Sequence, residues 1–167
     1  MRGMREPLLW IALAALAASL PVATVGMPAC AALALSIQLL MQTRLGDNAR
    51  GPLRLAQLAT WLTCLLYASV LGMQMLKGST VLPHRAAELS MPIALFALAT
   101  ALGRMAEVAA IEESELWLSS VRVLFLGGLA IDLVTGGAGF VILFLACPIF
   151  SVLVLRMRSR IALPNVR

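Results

Sequence analysis

The sequence predicts an all-α fold: a polytopic bundle of about six transmembrane helices, forming a single membrane domain over residues 1–167. Hydrophobic residues make up 61% of the chain and charged residues only 13%, whereas a soluble domain has roughly 25% charged residues. The apolar residues lie in segments of about 20, which is the length of a helix that crosses a bilayer. The basic residues lie at the ends of those segments.

Six apolar segments are candidate spans, at residues 7–25, 27–43, 53–76, 90–110, 116–134 and 138–156. The first two form one apolar run, which we expect Pro21, Gly26 and Pro28 to split because proline and glycine break or kink helices. The last two are separated by "TGGAG" at 135–139, where glycines permit a sharp reversal. A four-span arrangement, with one long tilted helix in place of either hairpin, is the alternative.

The N-terminal segment is similar to a signal peptide, because Arg2 and Arg5 precede an apolar stretch. Apolar residues continue directly through "MPACAALALSIQLLMQ", without the polar start of a mature secreted chain. We therefore expect a retained first span rather than a cleaved leader.

The distribution of Lys and Arg predicts the orientation. With six spans and a cytoplasmic N-terminus, ten basic residues fall on the cytoplasmic side, and only Lys77 and Arg85 fall in outer loops. Short loops rich in Lys and Arg stay in the cytoplasm. We therefore predict a bacterial inner-membrane protein with both termini cytoplasmic. The cytoplasmic basic residues are Arg2, Arg5, Arg44, Arg50, Arg54, Arg104, Arg156, Arg158, Arg160 and Arg167.

The densest charge lies in "ALGRMAEVAAIEESELW", residues 101–117. Arg104 and Glu107 are spaced i, i+3, so they share a helical face and are expected to pair. Three acids follow in the predicted cytoplasmic connection between the fourth and fifth spans. One interpretation is a solvated helix end; the other is a partner-binding surface or the mouth of a pathway. The three acids are Glu112, Glu113 and Glu115.

Two further charges fall inside the predicted fifth span. Arg122 lies about one turn from the cytoplasmic end, where a long side chain can snorkel to the interface. Asp132 is costly inside a span, and by default such an acid indicates function. The alternative is that Asp132, three residues before the glycine turn, reaches the outer interface. With the five charges described above, these two complete the candidate residues for a partner contact or a charge pathway.

Residue types used by enzymes and metal sites are not clustered. Cys30, Cys64 and Cys147 lie in apolar segments and lack the spacing of a metal or redox site. We therefore expect the three cysteines to pack as small buried hydrophobes. His84, the single histidine, is expected in a polar loop. The pI is about 10. We interpret the basic residues that raise it as topology signals rather than as a nucleic-acid surface. The sequence thus predicts no enzymatic activity, no cofactor and no nucleic-acid partner. The expected partners are the bilayer and other membrane subunits or copies of the chain.

The stretch "RMAEVAA" at 104–110 resembles the "RVAEVAA" that closes the fourth span of the export-gate family of flagellar and type III secretion systems. In that family a segment like "ESQLYGS" precedes the fifth span, and "ESELWLS" at 113–119 is similar to it. "LP" at 20–21 followed by "LALSIQLL" at 33–40 resembles the family's first hairpin and its "NIALSLLILL". The resemblance implies a non-enzymatic membrane subunit of a protein secretion or export complex.

This chain departs from the family's pattern in several places. The family's long loop after the fourth span is nearly absent, and its "TTLFRLALN" has no counterpart; "ATWLTCLLYAS" stands at 59–69. The acid of the family's "GDAI", implicated in proton coupling, aligns with Leu129, which cannot take up a proton. The family's large cytoplasmic domain also has no counterpart. The resemblance therefore implies a reduced relative, a lost-function copy or an accessory subunit.

A second functional hypothesis is a small transporter or channel subunit of a bacterial inner-membrane complex. Such a protein needs polar residues at a site near the middle of the membrane. Gln38, Thr60, Thr63 and Thr100 are the candidates in this sequence.

Overall fold

The computed structural model of this chain describes residues 5–18, 20, 22–109, 111–136 and 138–162, without the side chains of 112–115, 140 and 162. All the regular structure in these ranges is α-helical. The helices are α1 (Arg5–Ala18), α2 (Ala23–Met41), α3 (Arg44–Asn48), α4 (Arg50–Met75), α5 (Val81–Val108), α6 (Glu112–Thr135) and α7 (Gly139–Ala162). Both predicted hairpins consist of two separate helices, so the alternative of one long helix in either place is wrong.

The break between the first two helices differs from the prediction. It lies between Ala18 and Ala23, so Gly26 and Pro28 are inside α2; Pro21 lies outside the described residues. Pro28 removes one helical N–H, a loss that packing within a bundle tolerates. Gly26 has a packing role, since a Cβ there would lie 2.7 Å from the Tyr67 ring.

Five of the helices are long and apolar enough to cross a membrane, as an integral membrane protein requires; they are α2, α4, α5, α6 and α7. The described part of α1 has 14 residues. At about 1.5 Å per residue it is about 21 Å long, which is shorter than a hydrocarbon core of about 30 Å. The structure therefore supports five spans by length and composition, and the predicted sixth is not confirmed.

The fourth predicted span begins nine residues too late, since α5 starts at Val81 rather than at 90. The reversal before it is a Schellman motif that closes α4: the Gly78 N–H bonds to the Met73 carbonyl at 2.8 Å, and Lys77 takes the left-handed conformation with φ 52°. Because this turn is short, His84 lies in a helix. The prediction that His84 lies in a polar loop is wrong.

The predicted glycine reversal between the last two helices is confirmed. Gly136 follows α6 in the left-handed conformation, with φ 71°, which glycine adopts at no steric cost. Helix α7 then packs very closely against α6, because a Cβ on Gly139 would overlap the Gly128 carbonyl oxygen. The small residues thus bring these two helices into contact.

The long helices form a closed ring. Each packs against its neighbours in chain order, and α7 returns to pack against α1. There the Arg158 Nε donates to the Arg5 carbonyl at 2.9 Å. Large apolar side chains fill the interior, including Phe125 and Phe150, whose rings meet edge to face at 5.8 Å. Many leucines remain exposed on the outer faces of the ring, which are compatible with contact with lipid.

The ring has two chemically different ends. The His84 end contains the connections at 18–23, 75–81 and 135–139; the Arg104 end contains the start of α1, residues 41–50 and 108–112, and the end of α7. The predicted cytoplasmic arginines within the described residues all lie at the Arg104 end, and Lys77 and Arg85 at the other. The short helix α3, which was not predicted, lies at the Arg104 end and is capped by the Thr43 hydroxyl, 3.1 Å from the Gly46 N–H.

Candidate functional site

Helix α5 carries three charged or titratable side chains near its start. His84, Arg85 and Glu88 are spaced so that the first two lie one turn from Glu88 on the same helical face. The Arg85 Nη1 lies 2.9 Å from Glu88 Oε2, and His84 Nε2 lies 3.4 Å from Glu88 Oε1. Glu88 therefore holds both basic neighbours at the His84 end of the ring.

Asp132 joins this group from α6. Its carboxylate oxygen Oδ2 lies 3.4 Å from Arg85 Nη1, and the residue is only 4% exposed. We define His84, Arg85, Glu88 and Asp132 as the charge cluster. Asp132 is enclosed where α6 packs closely against α7: a Cβ on Gly139 would lie 2.5 Å from the Asp132 backbone nitrogen. The alternative that Asp132 reaches the outer interface stays a prediction.

One oxygen of Asp132 lacks a partner. Among the described residues, Asp132 Oδ1 and His84 Nδ1 are the buried side-chain polar atoms without a hydrogen bond. Leaving a buried acceptor unsatisfied costs about 1–3 kcal/mol, and more when the group is charged. Such an atom in a native fold indicates strain, a bound species or a functional role.

The charge cluster borders a cavity of about 40 Å³ inside the ring. Five helices contribute to its lining, which is apolar except for Glu88, Asp132 and Tyr67. With a rise of about 1.5 Å per residue, the cavity extends from the His84 end to about the middle of α5. The lining residues are Ala18, Tyr67, Glu88, Met91, Pro92, Leu95, Asp132, Leu143, Phe144 and Cys147.

A proline interrupts the helical hydrogen bonds beside the cavity. Pro92 lies inside α5 and is buried, and it has no N–H to give to the carbonyl of Glu88, four residues earlier. Both residues line the cavity. In membrane proteins, backbone freed in this way occurs where it is buried in protein or lines a cavity.

The charge cluster is not neutral by composition. It contains two carboxylates, on Glu88 and Asp132, and one guanidinium, on Arg85. With a neutral His84 the four side chains sum to one negative charge. Charge in a low-dielectric region is costly unless it is compensated. One further positive charge would therefore make the cluster neutral.

Outside the cluster, the buried hydroxyls of α4 and α5 are satisfied within the bundle. Thr60 and Thr63 are buried, and each bonds the carbonyl four residues earlier, at 2.6 and 2.8 Å. The Thr63 and Ser90 hydroxyls are 2.8 Å apart and join α4 to α5. Thr100 bonds the Phe96 carbonyl at 2.9 Å. These hydroxyls therefore stabilise the helices and their packing.

The predicted cytoplasmic charges lie at the opposite end of the ring. Arg104 and Glu107 are both exposed, and no ion pair joins them among those found in the described part of the chain, so the predicted pair is not formed. Glu112, Glu113 and Glu115 occupy the first turns of α6 rather than a loop. Acids are favourable there because the N-terminus of a helix carries partial positive charge. Their side chains lie outside the described residues.

Arg122 is half-buried and bonded to its own helix. Its Nε donates to the Leu118 carbonyl at 3.3 Å, and Nη2 lies 3.1 Å from the position of a Cβ on Gly103. Arg122 thus packs over a small residue of α5, which leaves it apart from the charge cluster. Of the seven predicted site residues, the structure places only Asp132 in that cluster.

The sequence reasoning missed His84, Arg85 and Glu88. Their spacing, i, i+4 for His84 and Glu88 and i, i+3 for Arg85 and Glu88, was a usable signal. Starting the span at residue 90 assigned them to a loop instead. The three cysteines are free and buried. Their burial confirms the expectation of small buried hydrophobes, although Cys147 also lines the cavity.

A second cleft, of about 270 Å³, lies at the Arg104 end between α2 and α4. Gln38, predicted for a midplane site, lies here instead, with Gln42 and Arg54. Arg50 also lines it and pairs with Asp47 at 2.8 Å. This cleft is open and lined by exposed side chains, so it lacks the enclosed charge found at the other end.

Comparisons with known proteins give no match: no family model, no curated protein and no solved structure is significantly similar to this chain. The resemblance of residues 104–119 to the export-gate family stays a prediction.

Proposed function

We propose that this chain is a small, non-enzymatic transporter or channel subunit of a bacterial inner membrane, with its solute site in the cavity at the His84 end. One observation carries the proposal: Asp132 is 4% exposed, has an unpartnered oxygen and lines a cavity to which five helices contribute. Ionisable residues buried within membrane bundles occur on substrate and ion pathways, where they pair with one another. The ion pairs of Arg85 with Glu88 and with Asp132 fit this pattern.

The orientation of the site follows from the charge distribution. Lys and Arg favour the cytoplasmic side. Most of the Lys and Arg residues that the structure describes lie at the Arg104 end. We therefore propose that both termini and the Arg104 end are cytoplasmic, and that the cavity lies on the outer half of the membrane. Solute would then enter from outside, through the end that contains the connections at 75–81 and 135–139.

The test is transport by the purified protein in liposomes. Concentration jumps with a panel of small cations, anions and zwitterions are applied to these vesicles on a solid-supported membrane, and the current is measured. We expect current with at least one solute, its loss in Asp132→Asn and its retention in Asp47→Asn, an aspartate at the other end of the ring. Absence of current with every solute in the panel, or full current in Asp132→Asn, contradicts the proposal.

A subunit of a protein secretion or export complex is the second candidate function. The resemblance at 104–119 supports it, together with the exposure of Arg104 and Glu107 beside the acidic start of α6. Under this proposal the Arg104 end contacts a partner subunit with a basic surface. Purification in mild detergent from cells that express a secretion system tests it, since the partner subunits should co-purify.

A further inference from the structure

We infer that the cavity at the His84 end binds ammonium or a short primary alkylammonium ion, with Asp132 Oδ1 as its principal acceptor. This inference rests on the proposed function and names the solute class of its site. The first observation is the unpartnered oxygen: Asp132 is more than nine-tenths buried, lines the cavity and directs only Oδ2 toward Arg85. A cationic N–H donor in the cavity would complete its hydrogen bonds.

The charge of the site favours a monovalent cation. Arg85 lies against both carboxylates, at 2.9 Å from Glu88 and 3.4 Å from Asp132. One negative charge is left over when His84 is neutral, and one monovalent cation balances it. A fixed positive charge at position 84, where the His84 Nε2 lies 3.4 Å from Glu88 Oε1, would balance the same charge. Such a charge therefore opposes binding of the cation.

The size of the cavity limits the ligand. A cavity holds a water molecule when this measure of its volume reaches roughly 10–15 Å³, and the volume here is about 40 Å³. The space therefore accepts about three groups of the size of water or methyl. Ammonium, methylammonium and ethylammonium fit within it, whereas a drug-sized organic cation requires displacement of the lining.

The lining distinguishes an ammonium group from a metal ion. An –NH₃⁺ group has three donors, and the lining residues carry three kinds of acceptor. These are the Asp132 and Glu88 carboxylates, the Tyr67 hydroxyl and the Glu88 carbonyl that Pro92 leaves without its helical donor. A hard metal cation takes six or more oxygen ligands, and the remaining wall is apolar. Met91 and Leu143 suit an alkyl group, and the Tyr67 ring adds a surface that attracts cations.

The chain offers a direct probe, because Asp47 and Asp132 are its two aspartates. Protein labelled with ¹³C at aspartate carboxylates is placed in lipid nanodiscs, and infrared difference spectra are recorded during perfusion with methylammonium chloride. Sodium chloride and tetramethylammonium chloride at equal ionic strength serve as controls. Tetramethylammonium has no N–H donor and exceeds the cavity. We expect a saturable shift of the carboxylate band with methylammonium alone, absent in Asp132→Asn and retained in Asp47→Asn.

A matched pair of variants tests the charge argument without removing the acceptor. In equilibrium dialysis with radiolabelled methylammonium, His84→Gln keeps the leftover negative charge and is the reference for the Kd of His84→Arg. His84→Arg cancels that charge and should raise Kd at least about tenfold, which corresponds to about 1.4 kcal/mol. Both variants change a side chain about one-third exposed, so both are expected to fold.

The outcomes separate this inference from the proposed function. Saturable binding without any transport current supports the site and overturns the transporter proposal. Current with other solutes but no carboxylate shift with methylammonium overturns the inference alone. Equal shifts with all three salts, or equal Kd values in the two His84 variants, also overturn it.

Discussion

Arg85 of α5 and Asp132 of α6 meet 3.4 Å apart inside the helix ring, and Glu88 lies 2.9 Å from the same guanidinium. The Arg85 guanidinium thus contacts two carboxylates. Removing this guanidinium leaves two neighbouring negative charges, whereas removing one carboxylate leaves one positive and one negative charge. The two partners of this ion pair therefore have unequal effects on stability.

We predict that Arg85→Met lowers the free energy of unfolding by more than Asp132→Asn, which changes it by less than about 1 kcal/mol. The loss in Arg85→Met stays below that for a fully buried pair, because the Arg85 side chain is 34% exposed and so partly screened. Unfolding in mixed detergent micelles measures both. Asp47→Asn, which breaks an exposed pair, should cost about 0–1 kcal/mol. An Asp132→Asn variant less stable than Arg85→Met would contradict this account.

Two glycines of the last helix pair should respond differently to a methyl group. Gly139→Ala pushes α7 away from α6, since the new Cβ meets the Gly128 carbonyl; we expect a loss of about 1–3 kcal/mol, as for overpacking in a core. Gly127 has open space around its Cβ position. Gly127→Ala should be neutral or stabilising by up to about 1 kcal/mol, because alanine favours helix. The same unfolding assay ranks them, and equal stabilities would show that the close approach does not hold.

The orientation can be tested with single cysteines. In a variant whose three native cysteines are replaced by alanine, Ser79→Cys lies at the His84 end and Asn48→Cys at the Arg104 end, both at exposed positions. The excess of arginine at the Arg104 end predicts that it is cytoplasmic. An impermeant maleimide should label position 79 in intact cells and position 48 only after lysis. The opposite labelling pattern would reverse the proposed topology.

The acidic start of α6 gives a test of the secretion hypothesis. Reversing Glu112, Glu113 and Glu115 to Lys should abolish binding of a basic partner, and raised salt should weaken native binding, because exposed charges are screened over roughly 10 Å at 0.1 M. Lys at a helix N-terminus also opposes the helix dipole, at about 0.3–1 kcal/mol per charge at most. Replacement of the three acids by Gln is the control that removes the charge without reversing it. Co-purification that survives the reversal would leave the stretch as a solvated helix end.

The positions of most helices could be read from the sequence because a bilayer imposes a simple rule. A membrane helix needs about 20 apolar residues, and its ends need turn-forming or charged residues. The glycine turn at 135–139 and the helical segments on either side of it followed from this rule. The start of α5 did not follow, because hydropathy assigns polar residues such as His84 and Glu88 to loops. It cannot register that these residues pair with one another and, through Arg85, with Asp132 on another helix.

The sequence by itself determined the all-α membrane class, the segregation of arginine to the helix ends, and the choice of Asp132 as a costly charge. The tertiary structure alone decided what surrounds that charge. Arg85 and Asp132 belong to different helices, and their meeting depends on the antiparallel packing of α5 and α6 and on the close glycine contact between α6 and α7. Local patterns report the cost of burying one side chain, whereas its compensation depends on neighbours that only the packed ring brings within hydrogen-bonding distance.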